Sequence, residues 1–174
     1  MKEYAYNGMS IIEFKTQYEL FKNIKNIDEL LLGDANDTAK AIELGASENQ
    51  LGKALKNEVS KNNPNLDKIK LILSSGFNLS FEKYVAVKEC IYYGKSDVLE
   101  LFLSYGLNPN VRFASGITAL NYAVLNNQTW IARILLEAGA NQNLKYKCKT
   151  ALQIATSKHF NTLVQLLIEY KELA

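Results

Sequence analysis

The chain is poor in the residues that most often carry chemistry or interrupt helices. It has one histidine and two cysteines among its 174 residues. Any Ser/His/Asp or Cys/His nucleophilic arrangement would have to use that single imidazole, His159. Cys90 and Cys148 are too few for a disulfide framework and, with one histidine, too few for a metal-ligand cluster; their number fits a reducing compartment. Only Pro64 and Pro109 break the backbone, so most of the chain is free to be helical. No apolar run approaches the ~18 residues of a membrane span. The opening Met1-Lys2-Glu3-Tyr4-Ala5-Tyr6 has an acid and two tyrosines where a secretory leader has a basic stretch and an apolar run. The expectation is a soluble, cytoplasmic chain without cofactor or metal; export by a specialised apparatus would leave no mark of this kind.

Charge of one sign is scarce as well. The net charge of +2 is too small to argue for nucleic acid. The charge is uneven, however: residues 1–47 carry five lysines and eight acids, and the remainder fifteen Lys/Arg and ten acids. Hydrophobic residues make up 48% and charged residues 22%, which is ordinary globular usage and argues for a single folded domain over 1–174.

What the chain does have is a repeat. Gly45-Ala-Ser47-Glu-Asn49, Gly76-Phe-Asn78-Leu-Ser80, Gly106-Leu-Asn108-Pro-Asn110 and Gly139-Ala-Asn141-Gln-Asn143 share one pattern, with glycines 31, 30 and 33 residues apart. Before each glycine lies an apolar stripe at helical spacing: Ala41/Ile42, Ile69/Ile72/Leu73, Leu99/Phe102/Leu103 and Ala132/Leu135/Leu136. Glycine at the helix end suits a left-handed cap, and the Asn and Ser that follow suit tight turns. A shorter helix precedes each of the later ones, over 86–93, 119–126 and 151–158, and Gly94 and Asn126-Asn127 punctuate the turn between the two. The unit is helix, turn, helix, glycine cap and extended loop.

The segment Gly116-Ile-Thr118-Ala119-Leu120-Asn-Tyr-Ala123, followed by Ile134-Leu135-Leu136-Glu-Ala-Gly139, resembles an ankyrin repeat, with Ala119 and Asn121 at the proline and histidine places of the Thr-Pro-Leu-His-x-Ala signature. Lys149-Thr150-Ala151-Leu152-Gln153-Ile154-Ala155 carries the same marks 32 residues later. The likeness weakens toward the N-terminus, and Val85 stands at the threonine place in the unit before. It implies an all-α helix-turn-helix solenoid with short β-hairpin-like loops and about five units, including caps. The expected units are 27–47, 48–80, 81–112, 113–145 and 146–174. An N-terminal capping helix over 1–26 is expected from Ser10-Ile-Ile-Glu13 and the apolar residues Ile11, Phe14, Tyr18 and Phe21. Lys171 stands where the last glycine would fall, in a polar tail suited to a terminal cap.

No catalytic constellation emerges. His159 falls in an inter-helix turn, and Cys90 falls where the family places a small buried alanine. Cys148 lies beside Lys145, Lys147 and Lys149, which can lower a thiol pKa. An enzyme with Cys148 as nucleophile is the weakest of the readings. The glycine motifs sit at helix C-termini, the wrong end for phosphate.

The resemblance implies protein binding through hairpin tips and first-helix ends on a concave surface. Carried over by position, the tips offer Glu82 and Tyr84, then Ala114, Ser115 and Ile117, then Tyr146, Lys147 and Lys149. The helix ends offer Tyr92 and Tyr93, Leu125 and Asn126, and Ser157 and Lys158, while Arg112 and Lys145 begin the loops. Tyr84 is expected near the Tyr92–Tyr93 pair, of which one member is free to pack inward. Tyr and Arg are frequent interface anchors, and the set Lys145, Lys147, Lys149 and Lys158 around Tyr146 points to an acidic partner surface. The expected function is a monomeric module that binds or inhibits a partner protein. A nucleic-acid binder using the basic C-terminal face is the alternative, and an immunity protein and a host-targeted bacterial effector are both open as biological roles.

Overall fold

Threonine starts the later first helices by accepting a backbone hydrogen bond. Thr118 Oγ1 accepts from Asn121 N at 3.2 Å, and Thr150 Oγ1 from Gln153 N at 3.3 Å, with Gln153 Oε1 accepting in return from Thr150 N at 2.9 Å. These contacts satisfy amides that a helix start otherwise leaves unpaired. The computed structural model describes residues 26–172, and within them ten α-helices. They are α1 (Ile27–Leu32), α2 (Ala35–Glu43), α3 (Glu48–Val59), α4 (Leu66–Ser74), α5 (Val85–Tyr92), α6 (Ser96–Ser104), α7 (Ala119–Leu125), α8 (Thr129–Glu137), α9 (Ala151–Ser157) and α10 (Asn161–Glu172). The N-terminal capping helix expected over residues 1–26 lies outside the described residues except for Asn26, whose Oδ1 caps α1 through Glu29 N at 2.8 Å.

Each odd-numbered helix packs on the even-numbered helix that follows it and on the odd-numbered helices on either side, and the even-numbered helices do the same. The result is a two-layer stack of five antiparallel pairs. The apolar stripes read from the sequence form the layer between: Ala41, Ile69, Ile72, Leu99, Phe102, Ala132 and Leu135 are all fully buried. Each of the Ile, Leu and Phe side chains contributes roughly 1.5–3 kcal/mol when it leaves water, and each alanine less, and most of that is gained only with the neighbouring pair in place.

Two kinds of reversal join the helices. Between the members of a pair, Gly94, Asn127 and His159 take left-handed φ values of +65°, +54° and +58°. After each, the next amide reaches back to the helix: Lys95 N to Cys90 O, Gln128 N to Ala123 O and Phe160 N to Ala155 O, all at 2.9–3.0 Å. After the second helix, Gly139 takes φ +88°, a region that a side chain rarely adopts, and lets Ala140 N reach Leu135 O at 2.8 Å.

The Asn-x-Asn part of the repeat then resolves into two jobs. Asn78, Asn108 and Asn141 each accept from the amide two residues on, which holds the turn. Asn110 instead crosses to the next pair, where its Oδ1 accepts from Asn141 N at 2.7 Å. The loops after α6 and α8 lead into bridged turns, Arg112 with Thr118 and Tyr146 with Lys149. The earlier loops depart from the expected hairpins. Ser47 and Asn65 cap α3 and α4 directly. Residues Glu82, Lys83 and Tyr84 all take positive φ, between +46° and +65°, beside a 3₁₀ turn at Phe81–Lys83. That turn sets the Phe81 ring against Gly52 of α3, where a Cβ would overlap it.

The joint between the first two pairs is made by one buried lysine, held in its own pair by a buried glutamate. Lys68 and Glu58 are almost fully buried, with Nζ 3.4 Å from Oε2. Lys68 Nζ also donates to Leu31 O at 2.6 Å and Gly33 O at 2.9 Å, so α4 caps the C-terminal end of α1. Glu58 accepts from Lys61 Nζ at 2.7 Å and Asn65 N at 2.9 Å. Burial pushes the Glu58 carboxyl pKa up, but Lys61, the Asn65 amide and Lys68 together hold it below its ordinary value of 4.5.

Two outcomes follow from this joint. Lys68→Met removes one partner of a buried pair and strands two α1 carbonyls, which costs about 3–5 kcal/mol; hydrogen exchange should show α1 and α2 losing protection before the remaining helices. The second concerns pH. A carboxyl with a lowered folded pKa stabilises above its ordinary value and stops doing so as pH falls through the lowered one. The gap in thermal midpoint between wild type and Glu58→Gln should therefore be full at pH 7 and shrink below about pH 4.

Candidate interaction surface

The first-helix layer and the loops carry the charge imbalance. In the last three pairs, loops and first helices (77–93, 107–126 and 140–158) hold seven Lys/Arg and two acids, while the second helices (94–106, 127–139 and 159–172) hold three Lys/Arg and five acids. Glu82, Lys83, Lys88, Arg112, Lys145, Lys147, Lys149 and Lys158 are all exposed. Among the described residues none of these seven cations enters an ion pair; the pairs formed are those of Lys61, Lys68 and Lys70.

The residues expected at the surface fall into two clusters at opposite ends of the first helices. At the loop end, Arg112 Nη1 donates to Gly116 O at 2.8 Å and reaches Lys145 O at 3.5 Å, which ties the two bridged turns together. Ala114 and Ser115 form an exposed tip. Tyr146 packs against the core with Lys147 Nζ 5.5 Å from its ring centroid. Lys147 and Cys148 make the last tip in left-handed conformations, φ +48° and +63°.

At the other end, Tyr92 and Tyr93 meet edge to face at 5.1 Å and are both about half exposed. Neither packs inward. Leu125 takes the place of Tyr92 in the next pair, two residues before the left-handed turn, and is half buried, as is Asn126. Asn126 Nδ2 donates to Tyr122 O at 2.8 Å, so its amide is partly committed to its own helix. Ser157 and Lys158 continue this edge on α9 and are exposed.

Two of the expected positions are corrected. Ile117 is 3% exposed and belongs to the core. On either side of the tip Phe113 and Ile117 turn inward, with Phe113 N donating to Ile117 O at 2.9 Å, and Ile117 opens a run of buried residues that continues through Thr118, Ala119 and Leu120. Tyr84 does not lie near the tyrosine pair. It precedes α5, whose eight residues put it about 12 Å of helix rise away from Tyr92. It lines instead a cleft of about 270 Å³ with Phe77, Leu79 and Tyr105.

Sequence reasoning also missed surface residues. Trp130 is 62% exposed on the second-helix layer, and its place just outside the stripe Ile131, Ile134 and Leu135 was the available signal. Tyr122 was missed because it reads as part of the core. It is half buried, edge-to-face with Phe113 at 5.5 Å, and has Lys88 Nζ 5.7 Å from its ring centroid. Burial, then Glu89 and Tyr92, raise its hydroxyl pKa.

Burial drives the Cys90 pKa far up, where the thiol is inert. His159 is exposed in its turn, and no group of three His, Cys, Asp or Glu could hold a metal among the described residues. No helix among them is long and apolar enough to cross a membrane.

A two-layer stack of short helix pairs with bridged loops and free loop tips defines a helical-repeat solenoid. The family model "Ankyrin repeats (3 copies)" matches residues 23–146. The protein belongs to the ankyrin repeat family. The α9–α10 pair continues the same stacking beyond the matched segment. The chain is 36% identical over 87 residues, 49% of its length, to human "SH3 and multiple ankyrin repeat domains protein 2", of which the match covers 5%. It is 26% identical over 95 residues, 55% of its length, to a putative ankyrin repeat protein of fowlpox virus, with 23% of that protein covered. A putative ankyrin repeat protein of Rickettsia felis is 33% identical over 51 residues, 29% of this chain and 19% of that protein. The chain thus spans less than a quarter of each of these relatives.

The two kinds of position separate by stability. Ile117→Ala should destabilise by about 2–4 kcal/mol in denaturant unfolding. Ser115→Ala and Tyr93→Ser should each stay within about 0.5 kcal/mol of wild type.

Proposed function

We propose that this protein, a member of a family of repeats that are generally protein–protein interaction modules, acts by binding a partner protein, and so anchors or inhibits it, through the loop tips and first-helix ends of its last three pairs. The observation that carries this reading is the charge imbalance of the last three pairs, seven Lys/Arg against two acids on the loops and first helices, set beside the half-exposed Tyr92 and Tyr93. A stack whose helices are locked by caps and cross-pair hydrogen bonds presents that surface already ordered, which limits the entropy lost on binding. Tyr and Arg anchors supply affinity, and lysines at the rim speed association with an acidic partner. With two free thiols, one exposed and one buried, a reducing cytoplasm suits the chain, and a monomer suffices for this action.

The basic last turn, Lys145 to Lys149, also favours nucleic acid as a second reading. A stripe of cations along the whole layer would serve that purpose better, and the clear run is confined to one unit.

The test is affinity capture from the source cell with mass-spectrometric identification. The protein should retain a protein partner that the Tyr92→Ala/Tyr93→Ala/Lys147→Glu variant loses. Equal capture by both would overturn the surface, and salt-sensitive retention of DNA or RNA alone would favour the second reading.

A further inference from the structure

The two clusters are joined by a continuous strip, and its chemistry changes along its length. The bridged turns, 111–118 and 145–150, contain four cations and no acid. Arg112 is held between them by its bonds to Gly116 O and Lys145 O, so the two cationic turns lie side by side. Nothing among the described residues neutralises them. Midway along the first helices lies Tyr122, with Lys88 over its ring and Phe113 at its edge. At the far end stand Tyr92 and Tyr93, edge to face, beside half-buried Leu125. The strip thus runs from cationic through mixed to aromatic over the length of α7, seven residues or about 10 Å.

We propose that this strip takes a short extended segment of the partner in which carboxylates and one aromatic or aliphatic side chain are three to five residues apart. The proposal rests on the protein-binding reading and gives it a chemical form. The carboxylates meet the Arg112–Lys149 end, where each contact adds a charge-assisted hydrogen bond. The apolar side chain meets the tyrosine pair, whose half-exposed rings offer area at little cost in side-chain entropy. The spacing follows from the geometry: about 10 Å along the helix, taken at right angles to the roughly 8–10 Å between neighbouring helices, is about 13–14 Å from the Arg112 unit to the tyrosine pair, which an extended chain advancing about 3.3 Å per residue covers in about four residues. An acidic segment without the anchor engages only the cationic end, and an anchor without acids engages only the aromatic end.

The experiment uses the full chain and fluorescein-labelled synthetic peptides, each with one tryptophan and an Asp-Asp-Glu run separated by zero, one, three, five or eight Gly/Ser residues. In anisotropy titrations the three- and five-residue spacers should bind best. The zero- and one-residue spacers cannot reach both ends and should bind about tenfold more weakly, and the eight-residue spacer should lose only a little. Replacing tryptophan with serine should weaken the best peptide for wild-type protein but not for Tyr92→Ser/Tyr93→Ser. Affinity that ignores both spacer and tryptophan would overturn the proposal, because the acids alone would then account for binding. So would a single-stranded oligonucleotide of equal charge that binds more tightly than every peptide. Failure of the peptides while the captured partner is still lost by the surface variant would sink this inference and leave the protein-binding reading standing. Loss of both would sink the two together.

Discussion

A pair of helices seven and nine residues long, such as α7 and α8, cannot cover its own apolar side. Ile131, Ile134 and Leu135 on one side and Leu120 and Val124 on the other need a neighbour above and a neighbour below. That requirement organises the rest of the structure. It fixes the repeat length, because each unit must return the chain to the same place one layer on. It demands capped, fully hydrogen-bonded reversals, because a short helix has a large share of its backbone at its ends. It also leaves the outer ends of the first helices and the tips of the loops without a structural task, which is where a repeat protein is free to vary for binding.

The polar joints refine this apolar rule. Asn110 reaching Asn141, Asn121 Nδ2 donating to Leu144 O, and Arg112 bridging to Lys145 O all cross from one pair to the next in the C-terminal half. Each runs from an asparagine or the exposed Arg112 to a backbone atom of the next pair's loop. The N-terminal joint depends instead on a buried lysine and glutamate, with Lys68 holding the end of α1. The stack is therefore stitched differently at its two ends, and the well-stitched C-terminal half is the one that presents the basic and aromatic surface.

How much of this could be read in the sequence depended on how local each signal was. The glycine caps, the Thr118 and Thr150 starts and the apolar stripes are short-range patterns, and they located the later helices to within a residue or so of their ends. The turn at Glu82 to Tyr84 was not legible, because three non-glycine residues in left-handed conformation break every local rule; the turn is set by Phe81 packing on the distant Gly52. Nor was the Lys68–Glu58 pair, since a lysine ten residues from a glutamate reads as solvent-facing until the fold buries both. Ile117 was misplaced because the change from exposed tip to buried core falls between Gly116 and Ile117, two residues before the helix begins, and no local pattern marks it. Trp130 stands just off the stripe of Ile131, Ile134 and Leu135, and its exposure is legible only from that one-residue offset, because a tryptophan beside an apolar stripe otherwise reads as core.

Trp130 is also what allows a direct test of the central claim, that binding belongs to the first-helix layer. Covalent surface labelling of the full chain, alone and with its captured partner, would report tyrosine, tryptophan and lysine sites together. The expected result is protection of Tyr92, Tyr93, Lys147 and Lys149 by the partner, with Trp130 and Tyr105 labelled as before. Protection of Trp130 with Tyr92 and Tyr93 still open would contradict the claim and move the interface to the second-helix layer.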